Sequence, residues 1–225
     1  EAAYTDLSTI DLPMTVGTWR SVGHSQNAFF TECFMDECAH ALGKDPYRTR
    51  REILTKHPRY LAVLDKLAEI SNWNVDPDPG IFRGLALHKS FGSIVGEVVE
   101  ISIDGKRLSI DKVYCVIDCG RTVNPAIIES QMQSGIAYGL TAALYGEIEV
   151  KKGKIVQSNF PNYEMVKMGT MPRVVTYIME VDAYPGGVGE PGTPPIAPAL
   201  CNAIFAATGE RIKSLPLTKH GFVIV

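Results

Sequence analysis

From Ser25 onward the apolar positions fall at helical spacing: Phe30, Cys33, Phe34, Cys38, Ala41 and Leu42 lie three or four residues apart, and Gly43 stands where a helix C-cap belongs. Asp45-Pro46 opens a second helix running to about Lys56, with Asp45 as its cap and Pro46 at its first position. After His57-Pro58, the residues Leu61, Leu64, Leu67 and Ala68 mark a third amphipathic helix. Ahead of these, residues 1–24 show no period and contain Pro13, Gly17 and Gly23, so they read as an extended lead-in. The N-terminal third is therefore predicted to be helical. Asp76-Pro77-Asp78-Pro79-Gly80 reads as a loop and as the boundary between a helical segment, 1–76, and a second segment, 77–225.

Beyond that loop the period changes to two. Ile94 to Ile103 is rich in β-branched residues, Asp104-Gly105 is a hairpin signal, and Leu108 to Ile117 returns as a second strand. Pro125 to about Leu144 reads as a helix in which Gly135 and Gly139, four apart, indicate close packing on another element. Glu147–Val150 and Ile155–Ser158 flank a Lys-Lys-Gly-Lys turn and suggest another hairpin; Val174 to Val181 reads as a further strand. Ile196 to Thr208 reads as a short apolar helix closed by Gly209. The class is α+β, helices first, then a mixed sheet carrying packed helices.

Composition adds limits. The 225 residues are 45% hydrophobic and 21% charged, enough to bury a core without staples. A net charge of -3 implies no basic face, so nucleic acid is not an expected partner. No apolar run is long enough for a membrane span, and the start, Glu1-Ala2-Ala3-Tyr4, has neither the basic nor the apolar region of a signal peptide. The five cysteines are odd in number and lack CxxC or zinc spacing, so most read as small core residues; the five histidines are scattered singly and read as structural.

Four clusters hold candidate chemistry. In Gly186-Gly187-Val188-Gly189-Glu190-Pro191-Gly192 the glycines permit close backbone approach and positive φ, and Pro191 presses Glu190 towards extended geometry near the start of the last helix. It reads as either a structural turn or a functional loop. It is neither a Walker motif nor a dinucleotide fingerprint. Thr18-Trp19-Arg20-Ser21-Val22-Gly23-His24-Ser25-Gln26 precedes a helix whose N–H groups suit an anion, or is an N-cap by Ser21 or Ser25. Asp118-Cys119-Gly120-Arg121-Thr122-Val123-Asn124-Pro125 is a polar turn, with Glu129 and Gln131 in the helix after it. In Phe91-Gly92-Ser93 the glycine marks a bulge or a close approach.

Taken together these stretches resemble the xanthine dehydrogenase and aldehyde oxidoreductase superfamily, in particular the large molybdopterin-binding subunit of the isoquinoline 1-oxidoreductase type. The resemblance runs from about residue 14 to 218. It is carried by the segment from Trp19 to Phe30, Ser90-Phe91-Gly92-Ser93, Asp118-Cys119-Gly120 with Asn124-Pro125, Gln131 with Gly135, and Gly139-Leu140. It continues through Leu144-Tyr145-Gly146-Glu147, Ser158-Asn159-Phe160, the Gly187–Gly192 loop, Ala197-Pro198-Ala199 and Leu215-Pro216-Leu217.

The resemblance implies a hydroxylase that oxidises a carbon of an N-heterocycle or an aldehyde with oxygen from water. Its molybdenum is held by a pterin cofactor, commonly the cytosine dinucleotide form, with no protein side chain ligating the metal. Electrons leave through [2Fe-2S] clusters on a separate small subunit. Residue by residue, Glu190 matches the general base, Gln131 a glutamine on the pterin, and Arg20 an arginine near the metal centre. Asn159 and Gly189 lie beside the cofactor by position. Val22 falls in the substrate pocket, where purine-oxidising relatives carry an aromatic clamp, so a xanthine-type clamp is not expected. The family's large subunit is about three times longer and has upstream cofactor-contacting segments that do not appear here. This chain is therefore expected to correspond to its C-terminal part, to need the remaining N-terminal part of that subunit as partner, and to bind no cofactor and show no turnover alone. A non-catalytic cofactor-binding or assembly module of the same fold is the alternative; a generic nucleotide-binding protein fails on glycine spacing. Substrate, electron acceptor and compartment stay open.

Overall fold

The computed structural model describes Ser8, Asp11 and residues 16–225. The lead-in before residue 16, Pro13 included, otherwise lies outside the described residues. Three helices come first: α1 (His24–Ala41), α2 (Pro46–Ile53) and α3 (Pro58–Ile70). A three-stranded antiparallel meander follows: β1 (Ile81–Ser90), β2 (Ser93–Asp104) and β3 (Arg107–Asp118). Then come α4 (Pro125–Tyr145), a small hairpin of β4 (Val150–Lys151) and β5 (Lys154–Ile155), β6 (Arg173–Ile178), α5 (Ile196–Thr208) and β7 (Val223–Ile224).

The helix signals act as expected. Asp45 caps α2 by accepting from the Arg48 N–H at 2.9 Å, and Pro46 takes the first position, where a missing N–H costs nothing. Gly43 and Gly209 follow α1 and end α5 in left-handed conformation. The second helix is shorter than its pattern suggests, because Leu54–Lys56 tightens into a 3₁₀ turn before His57-Pro58. The lysine hairpin is also shorter than expected, with two residues on each side.

β1 was not expected from pattern. Its residues 84–87 are buried on both sides of the strand, so no alternation betrays it. Phe91-Gly92 forms the two-residue turn between β1 and β2, with φ of 52° and 82°. The glycine is thus a hairpin residue and not a bulge, since a tight turn of this hand needs positive φ at both central positions. The close approach expected there does occur: a Cβ on Gly92 would stand 3.4 Å from Gly186.

The sheet runs β1-β2-β3-β6, with β6 and β7 both parallel to β3, so it is mixed. One face buries Leu85, Leu87, Ile94, Val98, Tyr114 and Val116 against Val63, Leu64 and Leu67 of α3. Each such α3 side chain contributes about 1.5–3 kcal/mol of burial. The other face carries Val95, Val99, Val113, Cys115 and Ile117 under α4 and α5. Two glycines let backbones meet. A Cβ on Gly84 would lie 2.2 Å from backbone atoms of α5, and one on Gly135 would lie 3.0 Å from Gly192. Gly139 likewise faces Ile196 and Thr193, so the four-residue glycine spacing of α4 seats the glycine loop and the start of α5 directly on the helix.

α1 and α5 cover the outer edge of β1. The Glu32 carboxylate of α1 accepts the Leu87 N–H at 2.9 Å, and the Asn202 amide of α5 donates to the Leu85 carbonyl at 3.1 Å. Side chains thereby satisfy backbone groups that an edge strand otherwise exposes.

Candidate active site

The segment before α1 is not extended where it reaches the molecule. Arg20–Gly23 forms a turn in which Ser21 and Val22 have φ of 76° and 50°. Neither serine caps α1: the helix has no side-chain cap, Ser25 Oγ donates to the Arg20 carbonyl, and Ser21 Oγ donates to the Glu190 carbonyl. Both hydroxyls are spent on holding the turn in place.

That turn projects Arg20 into a corner formed by α4 and the glycine loop. The guanidinium donates to Gln131 Oε1 at 2.9 Å, to Ser134 Oγ at 2.9 Å and to the Gly189 carbonyl at 3.0 Å. Three chain segments are thus joined by one planar cation, which suits arginine's rigid fork of donors and not lysine's point charge. Tyr138, one turn beyond Ser134, stacks on Trp19 with ring centroids 5.0 Å apart. Gln131, Ser134 and Tyr138 are spaced three and four apart, so they share one face of α4. Sequence reasoning singled out Gln131, gave Ser21 only as a candidate N-cap, and missed Ser134 and Tyr138. Their helical spacing from Gln131 on one face of α4 was the available signal for Ser134 and Tyr138.

Glu190 is half-buried beside this corner. Its Oε1 accepts the Ser21 N–H at 2.8 Å, and its carbonyl accepts both Ser21 Oγ and the Thr193 N–H. Oε2 takes no hydrogen bond among the described residues. Gly186, Gly187 and Gly192 serve close packing, and none of the four loop glycines has positive φ. Gly187 donates to the Phe91 carbonyl at 2.7 Å, Ser93 Oγ donates to the Gly187 carbonyl at 2.6 Å, and Gly192 lies against Met132. Beside Gly189 a Cβ would meet nothing within 4 Å, so space is open there.

Arg20, Gln131, Gly189 and Glu190 are therefore brought together, with Val22, half exposed, next to them on the turn. Asn159 is not in this contact network. Its hydrogen bonds run to Phe160, Asn162 and Tyr163 within its own loop. Among the described residues no three His, Cys, Asp or Glu side chains converge as a metal site, and no helix is long and apolar enough to cross a membrane.

A histidine pair supports the turn from behind. His24 Nδ1 and His88 Nε2 are 3.0 Å apart, and His24 stacks edge-on against Phe91. Burial, then the charge of His24, pushes His88 down from 6.5 to about 4. The folded state therefore disfavours the charged ring, so His88 contributes stability above pH 6.5 that is lost as pH falls from there towards 4. We expect the melting temperature to drop over that interval, by about 2–4 °C for each kcal/mol lost. A His88→Gln variant, which keeps a hydrogen-bonding side chain that does not titrate, should show a shallower drop. Equal acid sensitivity in both proteins would assign the effect elsewhere.

Residues 76–172 match the molybdopterin cofactor-binding domain family. The chain is 34% identical over 203 residues to the isoquinoline 1-oxidoreductase subunit beta of Brevundimonas diminuta, covering 88% of this chain and 26% of that protein. It is 34% identical over 119 residues to the putative xanthine dehydrogenase molybdenum-binding subunit of Escherichia coli K12, covering 50% of this chain and 16% of that one. The fold is that of quinoline 2-oxidoreductase from Pseudomonas putida 86: TM-score 0.79, 12% identity, 90% of this chain and 52% of that one. The chain thus spans about a quarter of the isoquinoline relative and about half of the matched quinoline chain.

Proposed function

The chain belongs to the molybdenum-cofactor-binding domains of the xanthine dehydrogenase family, whose members are molybdopterin-dependent oxidoreductases, and on that premise we propose that it forms the base-bearing side of a molybdenum hydroxylase active site. The observation that carries this reading is the corner itself. One arginine ties Gln131, Ser134 and the Gly189 carbonyl together beside a carboxylate that keeps one oxygen free.

The residues fit such a cofactor. The donors are a guanidinium and the Gln131 amide, whose Nε2 donates to no protein acceptor among the described residues. Cationic and amide N–H groups suit an anionic, heteroatom-rich pterin, and the space beside Gly189 is open to it. Arg20, Gln131 and the Gly189 peptide would hold its edge; Asn159 would reach it only from its own loop. When bound, the cofactor supplies the two-electron acceptor of the oxidation.

Glu190 acts as general base: its Oε2 accepts the proton from the water-derived nucleophile that adds to the substrate carbon. Pro191 and the packed glycines hold that oxygen in place, and Ser21 occupies Oε1. Val22 faces the substrate, an N-heteroaromatic compound or an aldehyde, and offers it an aliphatic surface. The cytosine dinucleotide form of the cofactor, the rest of the large subunit and a small [2Fe-2S] subunit complete the enzyme in this reading.

Two experiments test it. Replacing Glu190 with Gln in the full-length subunit should slow hydroxylation by at least about a hundredfold. The isolated 225-residue chain should retain less than about a tenth of stoichiometric molybdenum and nucleotide after desalting, because it holds one edge of the group and the remaining contacts come from elsewhere. Stoichiometric metal on the isolated chain would overturn that division of the site.

A further inference from the structure

Ser21 is completely buried, and it sits with φ of 76° next to Val22 with φ of 50°. Residues with side chains rarely adopt this left-handed conformation, and a β-branched valine is among the least suited to it. Two in succession persist only where the surroundings over-determine them. The turn closes itself with Val22 N–H to the Trp19 carbonyl at 2.8 Å and His24 N–H to the Ser21 carbonyl at 2.9 Å. Those bonds leave the Ser21 N–H pointing outward from the turn, and its acceptor is Glu190 Oε1 at 2.8 Å. A glycine would take this φ without strain. What serine adds is its hydroxyl, and that hydroxyl donates to the Glu190 carbonyl at 2.9 Å.

We infer that Ser21 is the positioning residue of this site, clamping Glu190 at its carbonyl and at Oε1 so that Oε2 alone is presented to accept a proton. A carboxylate on one rotatable stem otherwise samples several orientations, and proton transfer depends steeply on the distance and direction of the accepting oxygen. The left-handed turn is what aims the N–H at the carboxylate across 169 residues of sequence. The inference rests on Glu190 being the base, as proposed above.

The test has two arms. In this chain, hydrogen exchange of the Ser21 amide is compared between the unaltered protein and Glu190→Ala. Its acceptor is the carboxylate alone, so its exchange should quicken about tenfold or more, while the Val22 and His24 amides, bonded within the turn, stay slow. In the full-length, cofactor-loaded subunit, Ser21→Gly removes the hydroxyl and relieves the backbone strain. It should lower kcat about tenfold and leave KM within about twofold, because positioning is lost and substrate contacts are kept. A purely structural serine would leave kcat unchanged in the glycine variant.

Glu190→Gln, run alongside, separates the two ideas. If it is inactive while Ser21→Gly keeps full kcat, the base stands and the clamp is overturned. If Glu190→Gln is fully active, the base assignment fails, and the exchange arm still decides whether the clamp exists. Unchanged exchange of the Ser21 amide in Glu190→Ala overturns it outright, including where Ser21→Gly fails to fold.

Discussion

Replacing Glu190 with Gln in the full-length subunit is expected to lower kcat by about 10²–10⁴-fold, the usual worth of a positioned general base, or about 3–5.5 kcal/mol of transition-state stabilisation. Glutamine is close to glutamate in shape, and its carbonyl oxygen can still accept the Ser21 N–H that Oε1 accepts now. The loop should therefore keep its path, and the Arg20 contacts to Gly189, Gln131 and Ser134 do not involve the side chain that is changed. The loss should appear in kcat with KM little altered, the signature of an interaction made only in the transition state. What the variant lacks is a basic oxygen: an amide does not take up a proton near neutral pH. Steady-state kinetics on the cofactor-loaded enzyme, with molybdenum content measured in the same preparations, checks this. A Glu190→Gln enzyme with full metal and activity within a few-fold of the unaltered protein would remove Glu190 from the role.

The second large effect is on stability and lies away from the site. Glu32 on α1 and Arg50 on α2 form a buried pair, with side-chain exposures of 11% and 3%. Glu32 Oε2 accepts from Arg50 Nε at 3.0 Å and from the Leu87 N–H of β1 at 2.9 Å; the Glu32 carbonyl accepts from Arg50 and from Asn202 of α5. One acidic residue thus joins α1, α2, α5 and the edge of the sheet.

Glu32→Ala leaves a buried guanidinium without its counter-charge and a strand N–H without an acceptor. Breaking one side of a buried pair costs about 3–5 kcal/mol, and total stability is commonly only about 5–15 kcal/mol. The variant should therefore unfold at markedly lower urea concentration. The double variant Glu32→Met with Arg50→Met should recover most of that loss, since no unpaired charge remains. It should still fall short by about 1–3 kcal/mol for the unsatisfied Leu87 N–H. A Glu32→Ala protein whose urea midpoint matches the unaltered one would show that the pair contributes nothing net.

Much of this protein was legible before any fold was known. Asp45-Pro46 and Gly43 bound their helices because a capping carboxylate, a ring-locked φ and a left-handed stop are local physics. The apolar helix from Ile196 to Thr208, the paired glycines of α4 and the α+β class followed from spacing alone. Glu190, Gln131 and Arg20 stood in clusters that local chemistry left open between structural and functional readings, and the resemblance to the molybdenum hydroxylases singled them out.

Other features were beyond local reading. β1 is buried on both faces over residues 84–87, so the alternation that announces a strand is missing there. Glu97 of β2 lies wholly inside, its carboxylate oxygens without a hydrogen-bond partner among the described residues, and burial pushes its pKa well above the usual carboxylate range. The two left-handed residues, Ser21 and Val22, are not glycines, so nothing local marks their conformation, and the carboxylate that Ser21 meets lies 169 residues away.

Residue types and their near neighbours along the chain determined the helices, their ends and which polar side chains were anomalous. Only the tertiary structure decided that Arg20 would bridge α4 to the glycine loop, that Ser21 would hold Glu190, and that Asn159 would lie outside that network. Capping and periodicity are set by residues within a turn or two of each other. Those three outcomes depend on how α1, α4 and the loop pack across the sheet, where pairing is chosen by shape and buried polarity and not by distance along the chain.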